Sequence, residues 1–342
     1  MTSKEFAKLI GVSQPTVSRA MNNSSLVPKE KRDYIQQKAR EYGFVLNSQA
    51  KSLRTSKTDT IGILFPKHFI GMNANLMLAH LYDYIQKEMN QYDYDIMVIY
   101  YDPESDDFSS FERIIRKRKV DGFLVLRMEL SDSEIQLIEE YQVPCVFMMN
   151  AGMKVRENLN YLFSDSEYGG YLGGNYLGQF PEYHKIFMTI REETEDADRR
   201  FMGYCRGLRE YGCELRQKDV LYCNLSIGSA YRCIERNINI FRAQKTAIQT
   251  YSDILAIGAV NALKDQGLSI PEDVQVIGMD DIPLASEIRP LISTIHVPVE
   301  EMVSKGCKLL IDLIEKKDVM MRKWIKPRLV LRETTLEVIS AD

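Results

Sequence analysis

The first 55 residues constrain this chain more than any other part of it. Thr2 and Glu5 stand at capping-box spacing, so a helix is expected to begin almost at the N-terminus. Phe6, Leu9 and Ile10 form its apolar stripe. Gly11 fits the left-handed position that ends such a helix. Ser13 suits the N-cap of a second helix, with Pro15 in its first turn, where no amide partner is lost. Val17, Ala20 and Met21 are expected to face inward. That leaves Gln14, Pro15, Ser18 and Arg19 on the outer side of the helix start, the part of a recognition helix that meets base edges in the major groove. A third helix is expected between Val27-Pro28 and Gly43, with Ile35, Ala39 and Tyr42 inward.

Charge points the same way. Residues 1–57 contain 11 Lys plus Arg and 4 Asp plus Glu, a net of +7, so the remainder of this −4 chain carries −11. A basic head on an acidic body lets the head alone neutralise phosphates, with affinity that falls as salt rises. A Lys-rich helix face can also be merely solvated; its combination with helix, turn and capped helix favours DNA.

The run Glu5-Phe6-Ala7-Lys8-Leu9-Ile10-Gly11-Val12-Ser13, with Thr16-Val17-Ser18-Arg19 and Asn22, resembles the start of the LacI/GalR family of bacterial transcription regulators. Matching motifs follow in family order: Ala50 to Leu53, Val120-Asp121-Gly122, Arg200 to Tyr204, Asp253 to Leu263, Pro271-Glu272-Asp273-Val274, Gly278-Met279-Asp280-Asp281, and Pro290 with Ser293-Thr294-Ile295. The resemblance implies an α/β protein: an N-terminal helix-turn-helix head plus a two-lobed, periplasmic-binding-protein-like sensor with parallel doubly wound sheets. Its expected divisions are a head at 1–46, a hinge helix and linker at 47–58, and an effector-binding and dimerisation body at 59–342.

The resemblance also implies roles. Arg19 and Gln14 can pair with guanine and adenine edges. Pro15 replaces a side chain that usually hydrogen bonds and leaves only an apolar contact. Ser13, Thr16, Ser18 and Asn22 are assigned to phosphates or capping. Within the hinge, Asn47 is a suitable cap and Ala50 and Leu53 share one side. Paired Leu53 side chains of a dimer would wedge into the minor groove beside Lys51 and Arg54. Three crossings between lobes, near residues 162, 292 and 322, would leave an effector cleft.

From about residue 59 onward, β-rich apolar runs at 60–65, 96–101, 122–126, 145–149, 185–190, 220–223, 247–251 and 274–278 alternate with helical patterns. Such alternation implies parallel sheets covered on both faces. Ligands in such sheets meet loops at strand C-termini. By the resemblance, Arg200 occupies the family's position in an Arg-x-x-Gly-aromatic motif and can bridge neighbouring hydroxyls, while Asp280, after the strand at 274–278, can accept from them. Ser252 stands where the family usually has asparagine, and Leu225 where many members stack an aromatic ring on a sugar. Lys67, with His68, follows the first strand of the opposite lobe. Asp253 is read as a helix cap. The run Thr189-Ile190-Arg191-Glu192-Glu193-Thr194-Glu195-Asp196 stands where relatives often have a glycine-rich turn and is read as a solvated acidic loop; its alternative is a cleft rim that repels anions.

No convergent nucleophile, HExxH, CxxC or Walker sequence appears, so neither an enzyme nor a cofactor is expected. Cys213, Cys223 and Cys233 recur every ten residues, but without flanking His the recurrence reads as chance; the six cysteines are read as reduced thiols. Gly169-Gly170 and Gly173-Gly174 lack the dinucleotide-binding spacing and are read as close helix packing. With a polar N-terminal helix and no apolar run of membrane length, a cytoplasmic protein is expected, with no membrane partner. The expected partners are a pseudo-palindromic double-stranded operator, a small sugar-like effector and a second copy of the chain. Two other readings stay open: a regulator controlled by a partner protein, and a sugar-binding module with a vestigial head.

Overall fold

A computed structural model describes residues 1–21, 23–45, 57–66, 76–101, 108–126, 130–149 and 159–338. Three helices form the head: α1 (Ser3–Leu9), α2 (Gln14–Met21) and α3 (Lys29–Glu41). The Thr2 and Glu5 capping box is formed, and Gly11 and Gly43 take the left-handed backbone that ends α1 and α3. The head has its own core of Phe6, Ala7, Val17, Ala20, Val27, Ile35, Ala39 and Phe44.

Two inward assignments are corrected. Leu9 is exposed, because α1 packs through Phe6 and Ala7, which rotates Leu9 off the buried stripe. Tyr42 is also exposed: the turn at Gly43 sends the chain back, and Phe44 fills the space by stacking on Phe6 at 4.2 Å.

The remaining described residues build two parallel sheets of the same winding. In the first, β1 (Thr60–Pro66) lies between β2 (Asp95–Tyr101) and β3 (Gly122–Val125), followed by β4 (Cys145–Met149), β5 (Asn160–Ser164) and β11 (Arg322–Ile325). In the second, β6 (His184–Ile190) lies between β7 (Val220–Cys223) and β8 (Thr246–Thr250), followed by β9 (Val274–Asp280), β10 (Ser293–His296) and β12 (Arg328–Val330). Among the described strands only β12 runs antiparallel to its neighbour. Because side chains alternate across each strand, Ile61 and Ile63 enter one core and Leu64 another; Ile186 and Met188 likewise separate from Phe187.

Helices α4 (Leu76–Gln91), α5 (Phe108–Arg116) and α6 (Asp132–Glu140) cover the first sheet. The second carries α7 (Ser166–Gly178), α8 (Glu195–Arg209), α9 (Ile227–Arg236), α10 (Ile238–Ala243) and α11 (Asp253–Asp265). Helix α12 (Val299–Ile314) follows β10 of the second sheet yet packs on the first, where Leu310 meets Gly122 and Met148 meets Gly306.

The chain therefore crosses between lobes after β5, after β10 and between β11 and β12. These points lie a few residues beyond those expected, because β5, β10 and β11 are short strands with mixed polar sequence. The eight expected strands all form; these three and β12 are additional. No helix among the described residues is long and apolar enough to cross a membrane.

Candidate DNA-binding and ligand-binding sites

In the head, Ser13 accepts from the Thr16 amide at 3.3 Å and shares a hydroxyl contact with Thr16 at 2.7 Å, fixing the start of α2. Gln36 of α3 donates to the Ala20 carbonyl at 3.0 Å, tying down its end. Between these ties, Gln14, Pro15 and Arg19 are exposed and Thr16 and Ser18 half-buried, while Val17 and Ala20 face the core. Asn22, Ala50, Leu53, Arg54 and Lys67 lie outside the described residues.

The second sheet reverses its winding between β6 and β8, and that crevice collects the cleft residues. Arg200 and Asp196 are one turn apart on α8, and Arg200 Nε lies 2.9 Å from Asp196 Oδ2. The same guanidinium lies 4.3 Å over the Tyr251 ring, donates from Nη1 to the Tyr251 carbonyl, and lies 3.4 Å from Asp280 Oδ1. Tyr251 donates its hydroxyl to Asp196 Oδ2 at 3.0 Å, and Ser166, at the start of α7, donates to Asp196 Oδ1 at 2.5 Å.

Both Asp196 and Arg200 are almost fully buried. Burial opposes the Arg200 charge, but Asp196, Tyr251 and Asp280 more than restore it. Burial pushes the Asp280 carboxyl up to about 6, with Arg200 opposing the rise and Asp196 adding to it. Asp280 also has a left-handed backbone, φ 114°. Two buried hydroxyls at the ends of neighbouring strands, Thr189 Oγ1 and Ser252 Oγ, have no hydrogen-bond partner among the described residues. Each such orphan costs about 1–3 kcal/mol, which a polar ligand reaching it would recover.

The position of α8 is set by glycines. A Cβ on Gly203 would collide with the Glu167 carbonyl of α7, and one on Gly170 with the Arg200 carbonyl. The two helices thus meet backbone to backbone, as the double-glycine runs led one to expect. Since α7 begins immediately after the first crossing, the Arg200 cluster is attached to the crossing itself.

Asp253 does not cap its helix. Its buried carboxylate accepts from Thr294 Oγ1 at 2.5 Å and from the Ile282 amide at 2.9 Å, tying α11 to the ends of β9 and β10. Burial raises its carboxyl well above the usual range. The acidic loop is divided: Glu192, Glu193 and Glu195 are exposed as expected, but Asp196 turns inward to Arg200.

Leu225 is half-buried against the apolar core beyond β7. Ser252 joins the cluster only through the adjacent Tyr251. Tyr251 and Asp281 were not singled out from sequence as ligand-site residues, and Thr189 and Asp196 entered only as part of a run whose alternative reading was a cleft rim. The Asp196-to-Arg200 interval of four was the available signal for one of them.

Asp280 also lines a cavity of about 500 Å³ that reaches the other lobe, with His80, Tyr84 and Glu88 of α4 on its far side. Asp281 and His296 border it as well. His296 Nδ1 lies 2.8 Å from Asp281 Oδ2, and Arg332 donates to Asp281 Oδ1 at 2.5 Å. Asp280 is the only residue shared by this cavity and the Arg200 cluster, so the crevice and the inter-lobe space adjoin there.

A small three-helix head and a two-lobed α/β body with a polar crevice at its switch point define a ligand-binding-protein-like sensor joined to a DNA-reading module. Comparison with known proteins gives the same division. Residues 2–47 match the model of bacterial regulatory proteins of the lacI family, and residues 183–335 match that of the periplasmic binding protein-like domain. The chain is 28% identical over 338 residues to the HTH-type transcriptional regulator RegA of Clostridium saccharobutylicum, covering 97% of this chain and 98% of that protein. Among solved structures, the lac repressor dimer bound to operator and the anti-inducer ONPF superimposes with a TM-score of 0.79 at 21% identity, covering 98% of this chain and 99% of that one. A transcriptional regulator CelR–cellobiose complex gives 0.71 at 23% identity with the same coverage. At these identities the structural likeness establishes the fold. The chain thus matches the lacI-family model in its head and the periplasmic binding protein-like model in its second lobe, and is similar over nearly its whole length to HTH-type transcriptional regulators.

Proposed function

We propose that this regulator is a homodimeric repressor in which residues 1–46 read a pseudo-palindromic operator, residues 47–58 form the hinge, and residues 59–342 bind a small polyhydroxylated effector between the lobes. In this reading Arg19 and Gln14 read bases, Pro15 makes an apolar contact, and Ser13, Thr16, Ser18 and Asn22 hold phosphates or cap. Ala50, Leu53 and Arg54 engage the minor groove. Such a regulator acts in the cytoplasm, on the chromosome.

The observation that carries the effector assignment is the Arg200 cluster at the switch point, with the unpartnered hydroxyls of Thr189 and Ser252 beside it. A charged donor, a carboxylate acceptor and two free hydroxyls suit a ligand with several hydroxyl groups. Cellobiose in the structure of the same fold is consistent with that chemistry. Leu225 offers no ring for stacking, so hydrogen bonds carry more of the recognition than in relatives with an aromatic residue there. Ligand bound between the lobes would change their relative rotation and so the spacing of the two hinges, a coupling of about 1–3 kcal/mol.

The test is a thermal-shift panel of sugars, polyols, sugar acids and nucleosides on the purified full chain. Operator binding is then measured with the strongest stabiliser. A polyhydroxylated hit that alters operator affinity supports the reading; stabilisation by a ligand that leaves DNA affinity unchanged contradicts it.

A further inference from the structure

Asp280, the acceptor of the Arg200 cluster, is followed by Asp281, whose bonds lie outside that cluster. Both residues have left-handed backbone, with φ 114° at Asp280 and 59° at Asp281. Two successive non-glycine residues in that region persist only where their surroundings over-determine them. Here three bonds do so. The Ile282 amide is held by Asp253 at 2.9 Å, and the Asp281 carboxylate accepts from His296 Nδ1 at 2.8 Å and from Arg332 at 2.5 Å.

Both partners of Asp281 stand at crossings between the lobes. His296 ends β10, lies beside Asp280 in the ladder between β9 and β10, and precedes Val297-Pro298, where the chain passes to α12 and the first sheet. The Val297 amide reaches the Asp280 carbonyl at 3.5 Å. Arg332 lies two residues beyond β12, where the chain has come back from the first sheet. Its Nη1 donates to the Ile292 carbonyl and its amide to Ser293 Oγ, both at 2.8 Å, so it also fixes the start of β10. The Asp281 and Arg332 side chains are only 14% and 16% exposed, and salt screens such a pair weakly. His296 borders the cavity whose far side carries His80 and Tyr84 of α4, in the other lobe.

We propose that Asp281 is a positioning residue for the regulatory response: it fastens the Asp280 turn to His296 and Arg332, so that a shift of Asp280 is passed to the second and third crossings. This rests on the reading above that ligand meets Asp280 and that the angle between the lobes sets operator affinity. Arg200 is attached to the first crossing through α7 and α8; Asp281 supplies the other two. Lobes joined by three strands rotate through backbone changes at the crossings. A carboxylate that bonds two of them at once makes them move together. Asp281 acts through these contacts rather than on the ligand. Loosening them therefore changes the preferred angle between the lobes even when no small molecule is present.

The test is the operator affinity of the full chain without any small molecule, by fluorescence anisotropy on a duplex selected with the wild-type protein and on a scrambled duplex. Asp281→Asn keeps a residue that tolerates left-handed backbone and removes the charge that strengthens both bonds. His296→Gln replaces the ring donor with a flexible amide. Each is expected to shift operator affinity by about fivefold or more, in the same direction, with scrambled-duplex affinity unchanged. The double variant is expected to shift no further than the larger single one, since both act through one contact. Thermal melts check that each variant is folded; should one fail to fold, the other decides alone. Glu333→Gln is the control: it breaks the exposed ion pair with Arg289, next to Arg332 in the chain, and should leave operator affinity as in the wild type. Unchanged operator affinity in a folded Asp281→Asn or His296→Gln chain, opposite or additive shifts, or an equal shift in Glu333→Gln overturns the proposal while the regulator reading stands. A wild type that binds both duplexes alike overturns that reading and the proposal with it.

Discussion

The guanidinium of Arg200 lies 4.3 Å above the ring of Tyr251, and the hydroxyl of that ring holds Asp196, the carboxylate paired with Arg200. Each member of the trio orients another. Tyr251→Phe keeps the stack and removes only the hydrogen bond, so it should cost about 0.5–1.5 kcal/mol in stability. Tyr251→Ala also removes a large, partly buried ring and should cost more, toward the low end of the about 3–5 kcal/mol of a buried aromatic truncation. Urea unfolding of the two variants beside the wild type measures the difference; equal losses contradict this account of the trio.

Asp280 gives the pH dependence. Its carboxyl is held near 6 in the fold, chiefly by burial, whereas it ionises near about 3.9 in the unfolded chain. A raised acid favours the folded state when protonated, so its contribution is fully present below about pH 4 and is lost as pH rises through 6. Between about pH 5 and pH 7.5 the loss is on the order of 1 kcal/mol. Asp280→Asn cannot ionise and should remove that part of the profile, leaving whatever Asp253 and other groups contribute. Wild-type and variant urea midpoints that run parallel across this range contradict the assignment.

The same substitution should act in opposite directions at two glycines. Gly203→Ala places a methyl group against the Glu167 carbonyl in the contact between α7 and α8, and should destabilise by about 1–3 kcal/mol or more. Gly228→Ala, on the exposed first turn of α9, meets only the Arg232 side chain at 3.4 Å and should be neutral or stabilising by up to about 1 kcal/mol. Thermal melts of both variants check the signs.

In the head, Phe44→Ala removes the ring stacked on Phe6 and should cost about 3–5 kcal/mol of a core built from only a few side chains. DNA binding should be lost while the body's thermal transition stays in place. Arg19→Ala, at an exposed position, should leave the head folded. On a true operator it should cost about 1–3 kcal/mol, with little change on a scrambled duplex at the same salt concentration.

Several parts of the molecule were legible in the sequence because their signals are local. The capping box at Thr2, the left-handed turns at Gly11 and Gly43, and strands such as β8 and β9 depend on a few adjacent residues. Leu9, Tyr42 and Phe44 were not legible, since which of several apolar side chains enters a small core depends on how helices meet. Strands β5, β10 and β11 escaped because four or five residues of mixed polarity make a strand only beside a neighbour already in place. In the cleft, Arg200 and Asp280 were identified through family motifs. Asp196 was hidden in an acidic loop and Tyr251 in a strand end; the fold alone shows that both converge on Arg200. Asp253 was misassigned because a carboxylate at a helix start ordinarily caps it, whereas here the carboxylate reaches across to Thr294 and Ile282.

The central claim is that ligand in the Arg200 crevice is coupled to operator affinity. The most direct test is fluorescence anisotropy on a labelled operator duplex selected with the full chain, with and without the strongest thermal-shift hit, for wild type and Arg200→Ala together. The account predicts equal affinity of the two proteins without ligand, a roughly 5- to 150-fold change in the wild type on adding it, and no change in the variant. A wild type indifferent to a ligand that demonstrably binds it, or an Arg200→Ala protein that responds as the wild type does, contradicts it.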